Sequence, residues 1–215
     1  MTRAPWPMAV HSDVRSTIVG AMPSIELPAP ADQLAARAAE LLGWSGVVLP
    51  PVTLLGRRVR PVAELLTDRH AERLCWGGGP VTDRVTVSTW AWPEMADRAP
   101  LPAVRISGVL VPARHWRTAL ASAVPFARFC NTAVVLPTTV TDSEDFLVNG
   151  AFRARYHGIG MIAATDADEL VVLHSGRTER PYVEDTATYR WVHEVVYAHL
   201  LDTMPQLAAD LPADC

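Results

Sequence analysis

Carboxylates, arginines and histidines are the side chains of this chain that could do chemistry. Asp83, Glu94 and Asp97 fall close together in sequence. Carboxylate oxygens are what a hard divalent cation takes as ligands, so these three define a displaced carboxylate site, with Glu94 and Asp97 delivered from a loop. The competing reading is a strand-end cap followed by solvated loop charges. Arg57, Arg58 and Arg60, with Arg69 and Arg73, form a candidate phosphate-binding patch, because a guanidinium fork matches a phosphate. The alternative is a solvated face neutralised by Glu64, Asp68 and Glu72, and the net charge of −4 favours it.

Other pairings carry less. His193-Glu194 is followed by His199, a spacing of six that does not bring both imidazoles to one helical face as HExxH does. Both histidines are expected on a helix surface. Gly77-Gly78-Gly79 has no accompanying GxSxG and reads as a turn rather than an oxyanion loop. Trp90 and Trp92 would share one strand face and could stack on bases, although core packing or a subunit contact explains such residues more often. Cys75, Cys130 and Cys215 form no CxxC pair, so neither a disulfide framework nor a cysteine zinc site is indicated. Cys130 follows an aromatic residue and reads as a small buried group. The chain has nineteen basic residues, all arginine. The absence of lysine excludes a P-loop lysine, a Schiff base and a lysine general base.

The elements that must position these residues follow from periodicity. A length of 215 residues fits one domain with appendages. Residues 1–30 are proline-rich and read as an irregular arm, with a short strand at Ser16–Ala21; residues 31–205 form one α/β domain; residues 206–215 are a tail. A helix is expected at Ala31–Leu42 with Leu34, Ala38, Leu41 and Leu42 on its buried face, stopped by Gly43. Val47–Leu55 is a strand interrupted by Pro50 and Pro51. Residues 60–75 are ambiguous between helix and strand, and Arg84–Trp92 alternates as a strand should. Strand Val104–Val111, a helix over 113–129 divided at Pro125, and strand Thr132–Pro137 follow. Thr141-Asp-Ser-Glu144 fits a capping box opening a helix to Tyr156. Strands Met161–Ala164 and Leu170–His174 flank a turn, and a final helix spans Glu184–Met204. The order implies an α/β fold with a mixed central sheet flanked by helices. No apolar run approaches the ~20 residues of a membrane-spanning helix, and the opening MTRAPWPMAVHSDV lacks the apolar core of a secretory signal, so no membrane is expected and the cytosol is the expected compartment.

One segment resembles a known family. Ala113-Arg-His-Trp116, Pro125-Phe-Ala-Arg-Phe-Cys-Asn131, Thr132–Pro137 and Tyr156-His-Gly-Ile-Gly-Met-Ile162 resemble the core of the PD-(D/E)XK nucleases, the restriction-endonuclease-like fold. The resemblance covers about half the chain and rests on packing motifs. It implies an aspartate on one strand and a Glu-x-Lys pair on its neighbour, two apart and therefore on one face. The carboxylates would hold a metal that activates water. Counting back from Trp116, the Glu-x-Lys positions fall on Gly108 and Leu110. If Arg60-Pro-Val62 replaces the family's Arg-Pro-Asp, Val62 stands where the aspartate belongs; if 84–92 is that strand, Asp83 survives. The family's helix opens with Arg114 and Arg117, where this fold often meets DNA. The resemblance therefore implies a nuclease-like domain without catalysis, with no cofactor, acting as a binding or structural module. DNA, a protein partner or another copy of the chain are the open partners. The alternatives are a divergent Mg²⁺-dependent nuclease built on Asp83, Glu94 and Asp97, and a partner-binding subunit with no nucleic-acid role.

Overall fold

The computed structural model describes residues 25–95, 97–177 and 186–205. The expected strand at Ser16–Ala21, the start of the final helix at Glu184 and the tail from residue 206 lie outside the described residues.

Helix α1 (Ala31–Leu41) is alanine-rich and buries Leu34, Ala35, Ala38 and Ala39. This stripe is shifted from the expected one, since Leu41 is 48% exposed. Small residues on the buried side let the helix approach the sheet closely. The helix ends at Gly43, whose φ of +64° is in the left-handed region. Gly43 N donates to Glu40 O and Trp44 N to Ala39 O, both at 3.0 Å, a Schellman closure that turns Trp44 back toward the sheet.

The Pro50-Pro51 interruption divides the next strand in two, β1 (Val47–Val48) and β2 (Val52–Leu54). Both pair antiparallel with β3 (Arg57–Leu65). Leu55 and Gly56, at φ of +50° and +71°, make the two-residue turn between β2 and β3. The ambiguous segment 60–75 is thus strand first and helix second, with α2 at Thr67–Cys75. Arg84–Trp92 is not a strand. Its core is α3 (Arg84–Thr89), capped by Asp83, which accepts from Thr86 N at 2.7 Å. The alternation there misleads because hydroxyl residues fill the polar positions. Ser88 and Thr89 donate back to Val85 O and Thr86 O, and Val87 and Trp90 form the buried side three residues apart. A 3₁₀ turn, Pro93–Met95, follows.

The centre then runs β4 (Val104–Pro112), α4 (Trp116–Ala123) and β5 (Asn131–Pro137). Pro125 ends the α-helix in a 3₁₀ turn at Val124–Phe126. A short helix α5 (Thr138–Thr141) precedes a π-helical turn (Phe146–Gly150) and α6 (Ala151–His157). The capping role expected of Thr141 belongs to Ser143: Phe146 N donates to its Oγ at 3.3 Å, while the Thr141 hydroxyl donates to Thr138 O inside α5. β6 (Gly160–Ala164), β7 (Leu170–His174) and α7 (Ala187–Thr203) complete the chain.

The result is an α/β architecture on an open, mixed seven-stranded sheet of order β1-β3-β4-β5-β6-β7, with β2 also on β3. β3–β4 and β6–β7 are antiparallel; β4–β5 and β5–β6 are parallel. One face of the sheet packs against α4, α6 and α7 through Val109, Val134, Met161, Trp116, Phe126 and Tyr197. The other face packs against α1 through Val62, Leu110, Val135 and Ile162.

Candidate functional site

The positions that the resemblance would make catalytic lie together on the α1 face. β3 pairs with β4 so that Val62 stands opposite Gly108 and Arg60 opposite Leu110. This register selects β3, not residues 84–92, as the neighbour of the Gly108 strand. Val62 and Leu110 are fully buried in the cluster beneath α1. Gly108 is covered by the Trp44 indole: a Cβ built there would collide with the Trp44 ring at Cζ3. No side chain larger than hydrogen fits unless the indole leaves. An oxygen-ligated divalent metal does not fit these residues, because the three offer hydrocarbon and no side-chain donor. Arg60 belongs to the same face and is buried, with Nη1 2.5 Å from an Asp32 carboxylate oxygen at the start of α1.

The displaced carboxylates are not gathered into a site. Asp83 is engaged as the α3 cap, and the Thr86 N–H, followed by the Thr86 hydroxyl, holds its carboxyl below the usual range. Glu94 sits exposed on the 3₁₀ turn and Asp97 exposed on the loop after it. Among the described residues no three His, Cys, Asp or Glu side chains are grouped closely enough to hold a metal ion.

The arginines are dispersed. Arg57 and Arg58 are exposed but consecutive on β3, so they point to opposite faces. Arg60 is buried, Arg69 bonds Glu72 at 3.0 Å, and Arg105 lies 3.7 Å from Glu64. Arg114 is exposed. Arg117 lies over the Trp116 ring at 4.6 Å and donates to Asp145 at 2.9 Å. Asp145 also accepts from the Trp116 indole at 2.9 Å, the main cause of its lowered pKa. Trp90 and Trp92 do not share a face: Trp90 is buried and Trp92 is 58% exposed.

The largest concentration of buried polar groups is where α2 meets α7. Arg73 donates from Nη1 and Nη2 to the two carboxylate oxygens of Glu194, at 2.6 and 2.9 Å, with both side chains buried. Arg73 Nη2 also donates to Gly79 O at 3.1 Å, and Glu194 accepts from Val81 N at 2.9 Å. One ion pair thus holds the end of the glycine loop through Gly79 and Val81. That loop closes α2 by a second Schellman turn, with Gly77 N donating to Leu74 O and Gly78 N to Arg73 O. Arg73 lies over the Tyr197 ring at 5.2 Å, and the Tyr197 hydroxyl shares a 2.6 Å hydrogen bond with His70 Nδ1. Burial raises the Tyr197 pKa; the nearby Arg73 charge opposes this and Glu194 adds to it. His193 is buried, against expectation, and its Nδ1 is 2.9 Å from Tyr189 O. His199 is half-buried and bonds Pro50 O at 3.0 Å through Nε2.

Above this network lies an open cavity of about 710 Å³ whose walls include Arg69, Arg73, Trp76, Trp90, Arg98 and Leu101. The sequence contained one partial signal for the network. Glu194 and Tyr197 sit among the buried apolar residues Val192, Val196 and Leu200 of α7, but α2 is polar and nothing in the spacing of His70 and Arg73 pairs it with α7. Cys130 is buried, and burial pushes its thiol pKa up to about 12. No protein-family model, curated protein or solved structure matches the chain.

Proposed function

We propose that this chain is a nuclease-like α/β domain that has lost phosphodiester cleavage and serves as a binding module. The observation that carries this reading is the Trp44 indole seated on Gly108, with Val62 and Leu110 buried beside it. A metal-dependent nuclease needs carboxylates and a cation there to stabilise the charge of the transition state. This chain has replaced that polarity with a packed apolar layer. The order of elements supports the same lineage: a helix, an antiparallel β3–β4 pair, then α4 crossing to a parallel β5.

The test is one titration on purified protein. Supercoiled plasmid and a single-stranded oligonucleotide are incubated with Mg²⁺ or Mn²⁺ and resolved on a gel. The expected result is intact substrate. Metal-dependent cutting that Asp83→Ala abolishes would replace this reading with the divergent-nuclease one. The same samples, run as mobility shifts over a salt series, identify the partner class. Binding that falls steeply with salt points to phosphate contacts by the exposed Arg57, Arg58 and Arg114. Absent binding points to a protein partner.

A further inference from the structure

Charge is segregated along the last two strands of the sheet. Asp166, Asp168 and Glu169 stand where β6 passes to β7, beside the pair Ala164 and Leu170. At the other end of these strands, where Met161 pairs with His174, three stretches of chain converge. They are 127–131 leading into β5, 151–160 containing α6 and the entry to β6, and 174–177 leaving β7. These stretches carry Arg128, Arg153, Arg155 and Arg177 and no Asp or Glu. All four arginines are exposed. Arg37, Arg60, Arg69, Arg73, Arg105 and Arg117 each pair with a carboxylate, whereas none of these four does so among the described residues. Arg177 joins the stretches: its Nη1 donates to Ala127 O at 3.3 Å, and its guanidinium lies against Gly158, the cap of α6.

Aromatic rings are interleaved with this charge. Ala151 and Ala154 turn the inner side of α6 to the core. At about 3.6 residues per turn, the outward side then reads Arg155, Phe152, Tyr156, Arg153 in order around the helix. Two rings, 69% and 77% exposed, thus stand between two arginines. Arg128 lies over the Phe129 ring at 4.9 Å, which fixes its guanidinium plane. The helix dipole accounts for a cation in the last turn of α6, where Arg155 stands, but not for Arg128 or for the exposed rings. We propose that this end of the sheet binds single-stranded nucleic acid, with the arginines on successive phosphates and Phe152 and Tyr156 stacked on bases. A duplex hides its base faces and leaves the two rings nothing to stack on. An acidic peptide would use the arginines alone. Arg57, Arg58 and Arg114 stand at the opposite end of the sheet, beyond the pair Arg60 and Leu110 and after β4, so the two surfaces are separable by mutation. The α1 layer takes no part in this surface, so its failure would leave the loss of cleavage untouched.

Fluorescence anisotropy of the full chain with labelled oligothymidylate and oligouridylate of about 15 nucleotides tests this. The expected result is saturable binding that weakens with salt and exceeds binding of a duplex of equal length; the tighter strand names the source as DNA or RNA. Arg153→Ala with Arg155→Ala weakens binding about tenfold and flattens the slope of log K against log salt by about 1.4, two phosphate contacts on a single strand. Phe152→Ala with Tyr156→Ala weakens it about tenfold while leaving that slope unchanged, which is the signature of stacking. Arg57→Glu with Arg58→Glu changes it less than about twofold, with circular dichroism confirming the fold of every variant. No saturable binding up to about 100 µM protein overturns the proposal. So does a duplex or polyglutamate bound as tightly as the single strand, or affinity that falls only with the Arg57 and Arg58 changes.

Discussion

The layer beneath α1 and the junction of α2 with α7 are built on opposite chemistry. Beneath α1, where the resemblance to nucleases would place charge, stand Val62, Gly108 and Leu110, with an indole over the glycine. At the α2–α7 junction, where the sequence suggests a solvated helix surface, Arg73, Glu194, His70 and Tyr197 are buried and bonded to one another. Burying an ion pair costs desolvation, and the gain from pairing returns it only when geometry and hydrogen bonding are good. Here the pair is bidentate and takes two further backbone groups, Gly79 O and Val81 N. Polarity in this molecule therefore works as a clamp on the glycine loop.

Breaking the clamp has the largest expected effect. Arg73→Ala or Glu194→Ala leaves one buried charge without its partner, and each should cost about 3–5 kcal/mol in urea unfolding. Arg73→Met with Glu194→Leu should cost less than either single change, because no charge is then stranded. If the singles are mild, the pair is not the clamp described.

The apolar layer gives a smaller effect with a sharper signature. Gly108→Ala forces Trp44 from its seat and should cost about 1–3 kcal/mol, as overpacking does. In a Trp44→Ala background the same change should be nearly neutral, so the double-mutant cycle is strongly non-additive. Additive costs would mean that the indole does not fill this position.

The smallest effect concerns Cys130. Its folded pKa of about 12 exceeds the ordinary value of 9.0, so the unfolded chain releases a proton that the folded chain holds. Stability should therefore fall as pH rises from 9 toward 12, and Cys130→Ala should make that decline shallower. An unchanged slope would place the thiol in contact with water.

Much of the fold is legible in the sequence, for reasons visible in single elements. Val109–Val111 of β4 and Ala133–Leu136 of β5 are apolar runs because both faces are covered there, and Gly43 and Pro125 punctuate their helices through their own backbone constraints. The segment Arg84–Thr89 misleads because valine and hydroxyl residues alternate there, while Asp83 capping decides for the helix. Thr141 and Ser143 are both plausible caps on local grounds, and the placement of α5 chooses between them. The emptiness of Gly108 and Leu110 can be read from residue type alone. What fills the space cannot, because Trp44 reaches Gly108 from a distant turn. The clamp is equally hidden, since Arg73 and Glu194 meet only when α2 and α7 pack.

A calorimetric titration of the full chain with Mn²⁺ tests the central claim most directly. The expected result is no saturable, stoichiometric binding, because the α1 layer presents hydrocarbon where oxygen ligands would be needed. A one-to-one site that Asp83→Ala or Asp97→Ala removes would contradict it.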